Sequence, residues 1–121
     1  MKTFKILSAL ILILMCFTAQ AQSKMNKIPQ DGVAVVEFNA GWNSSKNVTW
    51  INKLKEAEVG RLLIDENPKF QSKYKIVVVP TIIVFKDGVE VQRFQANIMM
   101  DMEATLKDVQ EGVDDAHMEG F

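Results

Sequence analysis

Chemically reactive side chains are scarce in this sequence of 121 residues, which contains a single cysteine, Cys16, and a single histidine, His117. No Ser/His/Asp or Cys/His set of the kind used in nucleophilic catalysis can be identified. The glycines are too scattered along the sequence to form a phosphate-cradling loop. We therefore expect no catalytic residues.

One group of possible metal ligands needs separate consideration. Met99, Met100 and Met102 precede His117 and Met118, and thioether and imidazole groups suit Cu(I). His117 is the only imidazole, however, and the methionines follow a helical pattern, where core packing is their ordinary use. We expect no metal site and no cofactor.

Residues 1–21 have the pattern of a secretory signal peptide. Lys2 and Lys5 precede an apolar run over 6–17, and Ala19-Gln20-Ala21 then forms a small-residue cleavage pattern. A membrane anchor is one alternative, but the run is shorter than the roughly 20 residues that a spanning helix needs. Lipidation at Cys16 is another, but the preceding residue is large. We expect cleavage after about Ala21 and export to the periplasm or the exterior.

The predicted mature chain of about 100 residues is one domain by size. It would comprise a lead-in segment over 22–32 and a domain over 33–121. Loss of Lys2 and Lys5 lowers the basic residues from 14 to 12 against 15 acidic residues, so the net charge changes from −1 to −3. This balance, with no basic stripe and no cationic amphipathic face, argues against nucleic acid and membrane partners. The absence of cysteine after residue 16 excludes a disulfide framework.

The hydrophobic pattern predicts alternating strands and helices. Residues 33–38 form a valine-rich run typical of a central strand that is buried on both faces. Apolar residues then recur at helical spacing, and we expect an amphipathic α-helix of about three turns that Gly60 ends. A short strand is predicted over 61–64. The apolar stripe of the helix comprises Val48, Ile51 and Leu54.

A second helix is predicted over 65–74, with Pro68 in its first turn. Strands are predicted over 81–85 and 89–94, with Asp87-Gly88 as the hairpin turn between them.

A last helix is predicted over 99–116, with a buried stripe of Met102, Leu106, Val109 and Val113. The element order is β-α-β-α-β-β-α. A β-α-β crossover makes its two strands parallel, and a two-residue turn makes the last two strands antiparallel. We therefore expect an α/β fold with a mixed four-stranded sheet and helices on both faces.

Two segments carry a resemblance to a known family. Residues 37–46 read EFNAGWNSSK, and residues 77–88 read VVVPTIIVFKDG. Together with residues 64–68 and 73–76, they resemble thioredoxins over roughly 33–116, in a minimal form of that fold. More loosely, the chain resembles the compact exported thioredoxin-like proteins of Bacteroidetes bacteria.

The resemblance fails at the residues that carry the redox chemistry of thioredoxins. In that family a C-x-x-C motif follows the tryptophan, and Asn43 and Lys46 occupy the two cysteine positions here. Thiol–disulfide exchange requires a thiolate that attacks a disulfide sulfur. Neither side chain can do this, so the resemblance implies the scaffold without the activity.

The resemblance also implies a peptide-binding groove. The thioredoxin proline at the position of Pro80 follows a cis peptide bond and faces the active-site loop. The backbone of the preceding residue, here Val79, is left free to pair with an extended peptide. The alternative is an ordinary trans proline at a strand start, before Thr81.

Three other residues each have two interpretations. Glu37 lies where thioredoxins keep a buried acid for proton transfer, and burial would raise its pKa, but it could equally be a paired structural acid. Lys46 could hold an anionic group of a client or extend into solvent. Trp42 could anchor an interface or pack partly buried against the Pro80 loop.

Three hypotheses about function follow. The first is a redox-inactive exported protein, not an enzyme, that binds extended polypeptide or a protein partner through the former active-site groove. The second is an accessory to thiol–disulfide redox homeostasis that acts with a cysteine-bearing oxidoreductase. The third is a structural domain of an exported assembly. The predicted groove comprises Trp42, Asn43, Ser44, Ser45, Lys46, Val79, Pro80 and Thr81.

Overall fold

The computed structural model describes residues 24–118. They contain one four-stranded sheet with the strand order β2-β1-β3-β4. The strands are β1 (Val33–Asn39), β2 (Glu58–Leu63), β3 (Thr81–Lys86) and β4 (Val89–Gln95). β1 is parallel to β2 and antiparallel to β3, which is antiparallel to β4. The predicted mixed four-stranded sheet is confirmed. The crossover after β1 accounts for the parallel pair β1–β2, and the tight turn after β3 accounts for the antiparallel pair β3–β4.

β1 is buried along its whole length and divides the core into two layers. Val35 and its neighbours on one face pack against α2 (Leu106–Met118). Phe38 and its neighbours on the opposite face pack against α1 (Pro68–Lys73). Helices therefore cover both faces of the sheet, as predicted.

The prediction of an α-helix after β1 is wrong. The chain forms two 3₁₀-helices instead, Gly41–Lys46 and Ile51–Lys53. Between them, the Glu37 carboxylate accepts a hydrogen bond from the Val48 N–H at 3.0 Å. Asn47 has a φ of −54° and a ψ of 138°, so the backbone is not helical at this position and the first 3₁₀-helix ends here. The apolar residues of the predicted stripe are still buried: Val48, Ile51 and Leu54.

β2 begins at Glu58, earlier than predicted, so Gly60 lies inside a strand and ends no helix. The Met25 side chain packs directly over Gly60, where a Cβ would lie 2.5 Å from it. The Met25 N–H also donates to the Arg61 carbonyl at 2.8 Å. The glycine therefore permits the close approach of the lead-in segment, which covers the outer edge of β2.

α2 begins at Leu106, later than the predicted start at residue 99. The Asn97 side-chain oxygen accepts hydrogen bonds from the N–H groups of Met99 and Asp101, which closes residues 97–101 into a turn. Met100 has a φ of +65° in this turn, a value that an α-helix excludes. Of the predicted stripe, Val109 and Val113 are fully buried, and Met102 and Leu106 are partly buried against the core.

The other predicted elements agree with the structure more closely. Pro68 is the first residue of α1, and Asp87 and Gly88 form the hairpin turn with φ values of +50° and +82°. The predicted signal peptide over 1–21 lies outside the described residues and stays a prediction. Among residues 24–118, no helix is long and apolar enough to span a membrane.

Candidate functional site

Trp42 and Asn43, at the start of the loop after β1, have opposite environments. Trp42 is 68% exposed, whereas Asn43 is 6% exposed. The Asn43 amide donates to Asn39 Oδ1 at 3.1 Å and, more weakly, to the Val79 carbonyl at 3.4 Å. The first of the two former cysteine positions is therefore a buried amide that joins the loop to the residue before Pro80.

Lys46, at the second former cysteine position, forms an ion pair with Asp101. Its Nζ lies 2.6 Å from Asp101 Oδ1, and both side chains remain about half exposed. Ser44 and Ser45 are exposed beside it. Lys46 thus neither extends freely into solvent nor presents an uncompensated charge to a client. It links the loop to the turn over 97–101.

Val79, Pro80 and Thr81 are buried next to this loop, and the Val79–Pro80 peptide bond is cis. The Thr81 hydroxyl donates to the Val78 carbonyl at 2.7 Å. The Pro80 carbonyl accepts a hydrogen bond from the Ala96 N–H at 3.0 Å. Among the residues described, none accepts a hydrogen bond from the Val79 N–H. Its carbonyl has only the long contact with Asn43.

Apolar side chains from separate loops surround a small cavity next to Val79. Trp42 comes from the loop after β1, Val77 from the segment before β3, and Ile98 from the turn after β4. These side chains are 68%, 76% and 93% exposed, respectively. We call this surface the groove. Its cavity has a volume of about 170 Å³ and is lined mainly by Trp42, Ile64, Val77, Val79, Ile98 and Met100.

The structure places the predicted site residues unequally around the groove. Trp42 and Val79 line the cavity, and Asn43 lies behind it as a structural amide. Val77, Ile98 and Met100 also line the cavity, and they were not predicted as part of the groove. Asn97 could have indicated Ile98 and Met100 from the sequence. Asparagine favours a turn, and apolar residues within a turn need not belong to a helix.

Glu37 forms a buried ion pair rather than a reactive acid. Its Oε1 lies 2.8 Å from Arg61 Nη2, and its other oxygen accepts the Val48 N–H. Burial raises the pKa of the Glu37 carboxyl above 4.5, although the hydrogen bonds from Arg61 and Val48 oppose this shift. The partner Arg61 was not identified from the sequence. Glu37 therefore positions the segment that follows the loop.

Neither a thiol nor a candidate metal cluster is found among residues 24–118. The groove in particular carries no thiol at either former cysteine position. Within residues 24–118 there is no cluster of three or more His, Cys, Asp or Glu side chains that could hold a metal ion. What remains is an exposed apolar surface next to the buried Val79, whose N–H has no acceptor among residues 24–118.

The similar sequences described below are all thioredoxins, although no family model matches the chain. Thioredoxin of Chlamydia caviae is 35% identical over 74 residues, which cover 56% of this chain and 72% of that protein. Thioredoxin of Staphylococcus aureus is 36% identical over 73 residues, which cover 53% of this chain and 68% of that protein.

Solved structures show the same fold. Mitochondrial thioredoxin 3 of Saccharomyces cerevisiae aligns with a TM-score of 0.55 at 19% identity, covering 78% of this chain and 94% of that one. Fasciola hepatica thioredoxin aligns with a TM-score of 0.52 at 26% identity, covering 72% and 83% of the two chains. The narrower resemblance to Bacteroidetes proteins stays a prediction. From sequence and fold together, the chain belongs to the thioredoxin family.

Proposed function

We propose that this protein binds extended polypeptide segments through the groove and performs no thiol–disulfide exchange. The observation that carries this proposal is the convergence of exposed apolar side chains on one cavity. Trp42, Val77 and Ile98 belong to three different loops, yet all three line the same cavity beside Val79. Exposed apolar residues that cluster in this way are typical of binding surfaces.

The backbone of Val79 supplies the directional part of the proposed interaction. Its N–H has no acceptor among residues 24–118, and its carbonyl accepts only a long, weak hydrogen bond of 3.4 Å from the Asn43 amide. An extended peptide could accept from this N–H and donate to the carbonyl, as in β-strand addition. Such main-chain pairing places no requirement on the client sequence.

The apolar side chains supply the selective part. Tryptophan is enriched among residues that dominate binding energy, and methionine adapts its shape to different partners. A cavity of about 170 Å³ has room for one side chain of the client at a time. We therefore expect clients with a large apolar residue next to the segment that pairs with Val79.

The absence of thiol chemistry follows from the two substituted positions. Asn43 donates its amide to neighbouring oxygens, and Lys46 pairs with Asp101. An amide and an ammonium group cannot supply the thiolate that attacks a disulfide. We expect disulfide reductase activity to remain at the level of the buffer.

The test uses matched valine variants. Peptides selected from a random display library on the protein would be titrated against the parent, Val77→Asp and Val89→Asp. Val77 lines the groove, whereas Val89, the first residue of β4, is 65% exposed outside the groove and serves as the control. We expect Val77→Asp to weaken binding about tenfold or more, because a carboxylate is costly in an apolar contact, and Val89→Asp to leave it unchanged.

Two results would contradict the proposal. Equal affinity of the two aspartate variants, or failure to select any peptide, would move function away from the groove and favour a structural domain. Reductase activity above the buffer level would show that the protein retains redox chemistry.

A further inference from the structure

A second cavity lies between the lead-in segment and α1, away from the groove. Its volume is about 370 Å³, and it shares no lining residue with the groove. We call it the lysine pocket. It is lined mainly by Lys27, Ile28, Lys69, Phe70, Lys73 and Tyr74.

Positive charge is concentrated at the lysine pocket. Lys27, Lys69 and Lys73 border it, and no carboxylate does. None of the three takes part in the ion pairs found among residues 24–118. Because the whole chain has a net charge of −1, the composition does not account for this concentration. Such a local field attracts anions.

Phe70, which is 7% exposed, and Tyr74 supply the aromatic part of the pocket lining, which we call the aromatic floor. The rings of Phe70 and Tyr74 are nearly parallel, with centroids 6.1 Å apart and an angle of 14° between them. Lys69 Nζ lies 5.3 Å from the centre of the Phe70 ring, and Lys73 Nζ lies 5.4 Å from that of Tyr74. The two ammonium groups therefore lie over the aromatic rings that line the pocket.

The floor is also fixed in position. Tyr74 packs edge-on against Phe85 of β3, with centroids 5.4 Å apart, and lies 5.7 Å from the Phe38 ring of β1. Both phenylalanines are fully buried. The pocket is therefore built on the core of the domain, and a ligand would meet a preformed surface.

We propose that the lysine pocket binds a small aromatic anion, with its ring on the Phe70–Tyr74 floor and its carboxylate, sulfonate or phosphate group near the lysines. A volume of about 370 Å³ lies within the range of small-molecule sites. The rival occupant, an acidic polypeptide, would use the lysines but would have no need of the aromatic floor. This inference goes beyond the proposed function, since it concerns a separate surface.

The test is a titration of the full chain with 2-naphthoate, followed through backbone amide signals by nuclear magnetic resonance. We expect saturable shifts at Ile28, Phe70 and Tyr74. 2-Naphthamide has the same ring without the charge, and we expect it to bind about tenfold more weakly, as we do for inorganic phosphate, which has no ring.

Lysine variants provide the second arm. Lys69→Gln/Lys73→Gln should weaken 2-naphthoate binding about tenfold, because two ammonium groups are lost. Lys53→Gln/Lys107→Gln removes two exposed lysines outside the pocket and should leave binding unchanged. Thermal melts of both double variants should stay close to that of the parent, since all four lysines are exposed and a cation–π contact at an exposed site contributes only about 0.5–1 kcal/mol.

Four results would overturn this inference. They are the absence of saturable shifts, equal binding of naphthoate and naphthamide, equal binding of phosphate, and tighter binding of a glutamate-rich peptide than of naphthoate. The last result would assign the pocket to acidic polypeptides. None of them depends on the outcome of peptide binding at the groove.

Discussion

The Glu37–Arg61 pair shows how a single buried residue shapes the region around the groove. The Glu37 side chain is fully buried and that of Arg61 is 15% exposed. One carboxylate oxygen accepts from Arg61 and the other from the Val48 N–H, so the pair fixes where the chain runs after the loop. Buried pairs of this kind cost desolvation energy, and their clearest contribution is to a specific arrangement.

The raised pKa of Glu37 predicts a pH dependence of stability. The pKa of Glu37 lies above 4.5 in the folded protein. At pH values between the unfolded-state and the folded-state pKa, the carboxyl is therefore still protonated in the folded protein but already ionised in the unfolded chain. The contribution of Glu37 is therefore largest below pH 4.5 and falls as the pH rises through the folded-state pKa. Urea unfolding of the parent and Glu37→Gln across this range should show a parent-minus-variant difference that decreases with rising pH.

Other acids titrate equally in both proteins and cancel in this comparison. Asp108, for example, has its pKa lowered by hydrogen bonds from the Thr105 N–H and hydroxyl, and its stabilisation is lost as the pH falls. A difference that grows with rising pH would show that ionised Glu37 is favoured by its surroundings.

At the scale of elements, the start of α2 is set by a reciprocal cap. The Thr105 hydroxyl accepts the Asp108 N–H at 3.2 Å, and the Asp108 carboxylate accepts the Thr105 N–H at 2.8 Å. Such a capping box satisfies two N–H groups that a helix start leaves without partners. The cap explains why the helix begins at Leu106 although apolar residues at helical spacing occur earlier.

Loss of this cap should destabilise the domain measurably. We expect Thr105→Ala to lower the free energy of unfolding by about 1 kcal/mol, because the Asp108 N–H loses its acceptor. Urea unfolding at neutral pH would measure the change. Thr49→Ala, at an exposed threonine outside any helix, is the control and should change stability by less than about 0.5 kcal/mol. Equal effects of the two substitutions would rule out the cap as the cause.

At the scale of the whole molecule, the buried core and the exposed apolar side chains of the groove come from different parts of the chain. The two core layers bury nearly every apolar residue of β1 and β3, and they would do so without the turn over 97–101. That turn instead exposes Ile98 and Met99 to 93% and 70%. Exposed apolar area gives little to folding, and the proposed binding of polypeptides would give it a use.

This separation predicts different effects of one substitution on stability and on binding. Ile98→Ser should change the free energy of unfolding by less than about 0.5 kcal/mol, because the side chain is already in water. It should weaken peptides selected on the groove several-fold, because a contact with the client is lost. Thermal melts and peptide titrations would measure the two effects. A marked loss of stability would assign Ile98 to the fold instead.

Much of the fold could be predicted because it rests on local patterns. The valine-rich run of β1, Pro68 at the start of α1 and the Asp87-Gly88 turn are all readable within a few residues. Of the residues predicted for the groove, Trp42 and Val79 line the cavity, and both belong to the segments that carry the family resemblance. The apolar turn over 97–101 was assigned to a helix, because its methionines have the same spacing in both situations.

The sequence by itself determined the sheet, the family and the absence of thiols at positions 43 and 46, since these depend on residue type and order. Tertiary structure decided the rest. Glu37 accepts the Val48 N–H from eleven residues earlier in the chain, and Met25 packs over Gly60 inside β2. The groove likewise exists only where three distant loops meet. Contacts between residues far apart in the chain compete with local preference, and no local pattern reveals which will prevail.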